Sequence, residues 1–189
     1  MIGQWGLMRR LHRGTKLMLF LNYKCNLNCD YCSLGYIGKR VESETIELDD
    51  WKYLVESFPL KLREIRISGG EPMLMPYYAE LINWLLDRGF YVMVFTNLTV
   101  LNFDVKPNSR LIYSATYHKG AKYWIWKKHL EFYRKRYKVN AQQLEDETIS
   151  GIKVSPVCDV EYGYTCVGFM YNPAGKLFTG FIKMLEGSC

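Results

Sequence analysis

The sequence is short of features that would have placed it quickly. No apolar run approaches the roughly 20 residues needed to span a membrane as a helix. The run Leu17 to Leu21 follows Arg9, Arg10 and Arg13, as a signal peptide's core would, but it is too short and is followed by Asn22 and Lys24 rather than a small-residue cleavage site. No internal repeat or low-complexity tract is visible. Histidine is scarce, at three residues. Acidic residues are nearly missing between Lys119 and Lys138, where eight Lys or Arg face Glu131 alone. These absences lead us to expect a cytoplasmic protein. In that compartment thiols stay reduced, so the six cysteines are more readily metal ligands or free thiols than disulfides.

What is present suits a packed fold. Hydrophobic residues make up 49% of the 189 positions, with 15 Tyr, 9 Phe and 5 Trp, ample for a core and unlike a disordered chain. The net charge of +6 favours anionic partners without identifying them. Along the chain, short apolar runs alternate with amphipathic ones. Leu17 to Leu21 reads as a strand buried on both faces. Trp51, Leu54, Val55 and Phe58 follow at helical spacing, with Asp49 or Asp50 as the expected cap. Glu64 to Ser68 alternates like a strand. Pro76 to Arg88 carries Tyr78, Leu81, Ile82 and Leu85 on one helical face and ends at Gly89. Phe90 to Phe95, Leu111 to Ala115, and Tyr137 or Lys138 to Leu144 read as further strands. Tyr123, Trp126, Leu130, Tyr133 and Tyr137 mark a helix between the last two.

Strand and helix in alternation predict an α/β fold with a parallel sheet, whose chemistry gathers at the carboxyl ends of the strands. We expect a shortened, open (β/α) partial barrel over 1–149, with a small appendage over 150–189. Phe169 to Tyr171 and Lys176 to Phe178 flank a Pro/Gly turn and predict a hairpin in that appendage. The stretch Asn97 to Arg110 is too loop-like for a full crossover helix, so one helix is expected to be missing or reduced.

The chemistry centres on Cys25-Asn-Leu-Asn-Cys29-Asp-Tyr-Cys32, which leaves the first strand. In a [4Fe-4S] cluster each iron has three sulfides and needs one outside ligand. Three cysteines therefore leave one iron open, as a catalytic site requires. Zinc would want a fourth ligand nearby, and no His or Cys lies between Cys32 and His118.

The triad, with Tyr31 before its last cysteine, resembles the signature of the radical S-adenosylmethionine (SAM) superfamily. Ser68-Gly69-Gly70-Glu71-Pro72, ending the second strand, matches that family's second motif. The resemblance extends over roughly residues 16–144. It implies that Cys25, Cys29 and Cys32 ligate the cluster, whose open iron chelates the amino and carboxylate groups of SAM. Electron transfer then breaks the C5′–S bond to give methionine and a 5′-deoxyadenosyl radical that abstracts hydrogen from a substrate. It also implies a one-electron donor such as flavodoxin or ferredoxin. Tyr31, Gly69, Gly70, Glu71 and Pro72 would border SAM, with weaker matches at Thr96, Asn97 and Ser114; Leu98 stands where a glycine is frequent. The two glycines would let backbone approach the ligand, so a side chain at Gly70 is expected to block SAM while sparing the cluster.

The remaining signals are less specific. Cys166-Val-Gly168, the hairpin and Gly175 resemble the opening of SPASM or twitch auxiliary-cluster domains, but Gly180 stands where a further cysteine is expected. A second cluster on Cys158, Cys166 and Cys189 is therefore possible but not favoured. The basic helix suggests nucleotide or nucleic-acid phosphates, against the simpler reading of aromatics packed inward and lysines in water. His118 lies near the expected mouth but reads as an ordinary loop histidine, and His12 and His129 attract no functional reading. The substrate is left as a peptide or protein (slightly favoured), a nucleotide or nucleic acid, or a glycyl-radical enzyme to be activated. Outside catalysis stands a metal-binding module without turnover.

Overall fold

The computed structural model describes residues 15–30, 32, 46–143, 168–171 and 177–178. One sheet organises them, in the order β5-β4-β3-β2-β1-β6-β7. Strands β1 (Thr15–Phe20), β2 (Leu62–Ser68), β3 (Tyr91–Thr96), β4 (Leu111–Tyr117) and β5 (Lys138–Gln143) run parallel to their neighbours. The sheet does not close, since β5 and β7 are its two edges. Helices α1 (Leu48–Ser57), α2 (Tyr78–Asp87) and α3 (Tyr123–Arg134) accompany it.

Side chains alternate across a strand, and the pattern sorts the two faces. Leu17, Leu19, Ile65, Ile67, Val92, Val94, Leu111, Tyr113 and Ala115 join one core with Trp51, Tyr78, Leu81, Ile82, Leu85, Trp126, Leu130 and Tyr133 from the helices. The register places Leu17 opposite Ile65 and Val92 opposite Leu111, so the apolar rows align from strand to strand. Burying side chains of this size contributes on the order of 1.5–3 kcal/mol each.

Two sequence expectations shift at helix ends. Helix α1 begins at Leu48 behind Glu47, which makes no capping bond, so Asp49 and Asp50 lie in the first turn rather than capping it. There their charge complements the helix dipole. In α3, Tyr123 is 49% exposed rather than packed inward. It stacks on Trp126 instead and meets the edge of Tyr117. Gly89 follows α2 with φ 86°, a conformation that favours glycine.

The crossover between β3 and β4 contains no helix. Side chains from α2, from α3 and from Tyr137 just beyond it hold the connecting loop in place. Asn83 grips it twice, donating to Asp104 O (3.0 Å) and accepting from Lys106 N–H (2.9 Å). The Tyr133 hydroxyl accepts from Asn102 N–H (2.9 Å) and donates to Asn102 O (3.0 Å). Tyr137 donates to Val105 O at 2.7 Å. The loop, which buries Val105 and exposes Phe103, Asp104 and Lys106, is thereby held through its backbone without a helix.

The expected hairpin is present as β6 (Gly168–Tyr171) and β7 (Leu177–Phe178), paired antiparallel. It extends the main sheet: β6 lies parallel to β1, with Leu17 opposite Phe169 and Leu19 opposite Tyr171.

Candidate functional site

The carboxyl ends of β1 and β2 are joined beyond their last residues. Leu21 N–H donates to Ser68 O (3.0 Å), Gly70 N–H to Asn22 O (2.9 Å) and Glu71 N–H to Lys24 O (2.8 Å). The Gly69–Glu71 segment is thereby zipped along the backbone that enters the cysteine loop. Both glycines are needed for this contact. Gly69 adopts φ 145°, and a Cβ there would sit 2.6 Å from Asn22 O. A Cβ on Gly70 would collide with Lys24 O and lie 2.9 Å from Tyr23 O. The expectation that a Gly70 side chain would first meet ligand is therefore revised. It meets the protein's own chain, one residue before Cys25.

Glu71 is fully buried. Its carboxylate accepts from Met73 N–H (3.1 Å), Asn97 N–H (2.8 Å) and the Thr96 hydroxyl (2.9 and 3.0 Å). Burial pushes the carboxyl up to about 7, while the bonds from Asn97, Met73 and Thr96 pull the other way. The side chains of Glu71 and Thr96, both expected beside SAM, are thus engaged with each other. They lock the end of β3 to the loop after β2. Pro72 opens a 3-10 turn, Pro72–Leu74, in which Pro72 and Met73 are buried and Leu74 is exposed. Leu98, at the position where a glycine was expected, holds φ 54° and is fully buried. Its N–H bonds the Thr96 hydroxyl (2.9 Å), and its carbonyl accepts from His129 Nδ1 (2.9 Å). The left-handed turn is therefore anchored from both sides.

Cys25, Cys29 and Cys32 form no disulfide among the described residues; Cys25 is exposed and the others half-buried. Cys32 N–H donates to Cys29 O (3.0 Å), curling the loop back on itself. Cys25 Sγ receives Leu27 N–H (3.4 Å) and Asn97 Nδ2 (3.5 Å). Partial desolvation raises the Cys25 thiol above its ordinary value; Leu27 N–H opposes this, while Glu71 and Cys32 add to it. Such a thiol stays protonated until a metal displaces the proton.

Asn26 and Thr99, which the sequence did not single out, complete a hydrogen-bonded ring with Asn97. Asn22 is a second omission. Its Nδ2 donates to Glu71 O (3.1 Å), and its buried Oδ1 has no partner among the described residues. Uncharged, and either outside both motifs (Asn22, Thr99) or at a spacer position of the cysteine motif (Asn26), these short polar residues carry little signal in a single sequence.

Ser114 lies near the middle of β4, level with Phe95 and Asn140, and is buried. Its two neighbours Tyr113 and Ala115 face the helix-packed core, so alternation puts Ser114 on the other side of the sheet. His118 follows β4, and burial lowers its pKa. In the basic stretch, Trp126, Leu130 and Tyr133 are buried while Lys127, Lys128 and Arg134 are exposed, the ordinary amphipathic arrangement. Tyr31, Cys158, Cys166 and Cys189 lie outside the described residues.

Among the described residues no three His, Cys, Asp or Glu side chains are gathered to hold one metal ion. In a [4Fe-4S] cluster each cysteine binds a different iron, so its thiolates do not share one atom. Three thiols on a single loop, none in a disulfide among the described residues and one with N–H donors at its sulfur, form a donor set that suits such a cluster. Among the described residues, no helix is long and apolar enough to cross a membrane.

The site is thus an open, mainly parallel α/β sheet with a thiol-bearing loop and a glycine turn zipped together at its carboxyl end. Residues 19–111 match the profile of the Radical SAM superfamily. The chain belongs to that superfamily, whose enzymes use a [4Fe-4S] cluster and SAM. It is 35% identical over 95 residues to a protein of Methanocaldococcus jannaschii named as a glycyl-radical enzyme activating enzyme, covering 50% of this chain and 36% of that one. It is 31% identical over 110 residues to 7-carboxy-7-deazaguanine synthase of Clostridium acetobutylicum, covering 53% and 48%. The chain thus spans less than half the length of either relative. Its fold matches that of Streptococcus suis SuiB bound to the precursor peptide SuiA, with a TM-score of 0.56 and 11% identity, over 97% of this chain and 64% of the other.

Proposed function

We propose that this chain binds a [4Fe-4S] cluster through Cys25, Cys29 and Cys32 and reductively cleaves SAM to start hydrogen abstraction from a peptide or protein. When bound, the cluster supplies the electron that splits SAM into methionine and a 5′-deoxyadenosyl radical. The chain's own residues do the positioning. The backbone zipper from Leu21 to Glu71 fixes the glycine turn beside the cysteine loop. Glu71, held by Thr96 and by Asn97 N–H, ties the end of β3 into the same frame. Ser114, on the sheet face away from the helices, is the described candidate for contact with SAM on β4. A one-electron donor such as flavodoxin or ferredoxin would reduce the site from its exposed Cys25 side.

The observation that carries this reading is the zipper itself, because it joins two motifs 37 positions apart (Cys32 and Gly69) into one preorganised edge. For the substrate class, support comes from the hairpin beside β1 and from the likeness to a peptide-bound enzyme over 97% of this chain. The test is anaerobic reconstitution followed by reduction with SAM. The parent should release 5′-deoxyadenosine and methionine, and Cys29→Ala should release neither and hold little iron. Undiminished 5′-deoxyadenosine from Cys29→Ala would sink the assignment.

A further inference from the structure

The two loops that meet at Cys25 are joined by a closed ring of side-chain hydrogen bonds. Asn97 Nδ2 donates to Asn26 Oδ1 (3.0 Å), Asn26 Nδ2 donates to Thr99 Oγ1 (2.6 Å), and the Thr99 hydroxyl donates to Asn97 Oδ1 (2.5 Å). A carboxamide can ordinarily be turned end for end, but here its sense is fixed. Thr99 N–H, which can only donate, also bonds Asn97 Oδ1 (2.9 Å). Asn97 must therefore direct its NH2 group toward Asn26 and Cys25. Its main chain is held as well, through Asn97 N–H to the buried Glu71 carboxylate (2.8 Å). The amide that reaches Cys25 Sγ at 3.5 Å is thus aimed by four hydrogen bonds from three other residues.

Reduction places additional negative charge on a cluster and its thiolates, and donors to those sulfurs stabilise the reduced form. We propose that Asn97 is a positioning residue that acts through Cys25, its side-chain NH2 raising the reduction potential of the bound cluster, rather than a residue that contacts SAM. The inference rests on the assignment of Cys25 as a cluster ligand. Asn26 and Thr99 hold the donor in place, and Leu27 N–H supplies the second donor to the same sulfur at 3.4 Å.

The test is a redox titration of the reconstituted full chain, followed by electron paramagnetic resonance without SAM, alongside iron analysis. Asn97→Leu should keep about four irons and titrate at a more negative potential, with the one-electron equilibrium constant lowered several-fold. Asn97→Asp, nearly the same shape, retains an acceptor for Thr99 N–H but replaces the donor with a carboxylate oxygen, and should shift further the same way. Thr99→Ala should give a smaller shift in that direction, since the donor survives but loses its anchor. A loaded Asn97→Asp or Asn97→Leu protein with the parent's potential and only weakened SAM binding would overturn this inference, making Asn97 a SAM contact. A parent chain that takes up no iron would overturn the cluster assignment itself, and this inference with it.

Discussion

Replacing Gly70 with alanine adds one methyl group, and the site gives it no room. The new Cβ would overlap Lys24 O and press on Tyr23 O at 2.9 Å. Both neighbours are backbone, so neither can swing aside as a side-chain tip would. Relief requires the Gly69–Glu71 segment to move away from Asn22–Lys24, stretching Gly70 N–H to Asn22 O and Glu71 N–H to Lys24 O. Overpacking of this kind costs about 1–3 kcal/mol, and each backbone bond contributes about 1 kcal/mol net. The expected loss is about 3–5 kcal/mol, a large share of the roughly 5–15 kcal/mol that holds a typical domain. Because Lys24 precedes Cys25 directly, iron loading should fall with stability. Two other glycines serve as controls. Gly89 has φ 86° and open space around its would-be Cβ, so Gly89→Ala should lose only about 1–2 kcal/mol of backbone strain. Gly120 has open space and no positive φ, so Gly120→Ala should be nearly neutral. Denaturation and iron analysis under anaerobic conditions read all three. A Gly70→Ala protein with the parent's stability and iron content would refute the zipper argument, and normal iron with weak SAM binding would restore the ligand-facing view of this glycine.

Glu71 predicts a pH dependence with a definite sign. Its carboxyl lies near 4.5 when unfolded and about 7 when folded, so the folded state holds the extra proton between those values. Stability should be greatest below pH 4.5 and fall as pH rises through 7, by up to about 3 kcal/mol for this group. Denaturant midpoints of the parent and Glu71→Gln should show that slope only in the parent; parallel pH profiles would refute it. Tyr133→Phe removes the hydroxyl that accepts from and donates to Asn102. It should destabilise the chain by about 1–3 kcal/mol, measured by denaturation, and speed proteolysis within the loop after β3. For the C-terminal cysteines, a Cys158→Ala, Cys166→Ala, Cys189→Ala triple variant should retain the parent's content of about four irons; about eight in the parent, falling to four, would establish a second cluster.

The elements were legible wherever burial imposes a strict period. Leu17 to Leu21 showed β1 because a strand covered on both faces needs continuous apolar residues. Tyr78, Leu81, Ile82 and Leu85 showed α2 because only one of its faces meets the sheet. The ends were less legible, since no side chain caps α1 and pattern alone could not locate its first turn. The two motifs were legible because thiols and paired glycines are scarce and carry sharp constraints. The reason for the glycines was not, because it depends on how closely Asn22–Lys24 approaches them, a tertiary fact. Glu71 and Thr96 each stood out in the sequence, but their partnership across 25 positions is invisible in one sequence.

The loop after β3 shows how such hidden partnerships shape the site. A crossover helix would have satisfied its own backbone internally. Without one, Asn102, Asp104, Val105 and Lys106 draw on Asn83, Tyr133 and Tyr137, and Leu98 O draws on His129. The tyrosines that looked like plain core residues are therefore amphipathic: rings in the core, hydroxyls on the loop. Their hold on Leu98–Val105 matters at the other end of the same loop, where Asn97 and Thr99 face the cysteines. The left-handed turn at Leu98 has its leucine side chain buried below and a hydrogen bond at each of its peptide groups above. A glycine there would enter the turn without strain but would leave the core side chain missing. Leucine instead uses burial to hold the turn in one conformation, so the donor on Asn97 reaches Cys25 from a loop that has no helix to stiffen it.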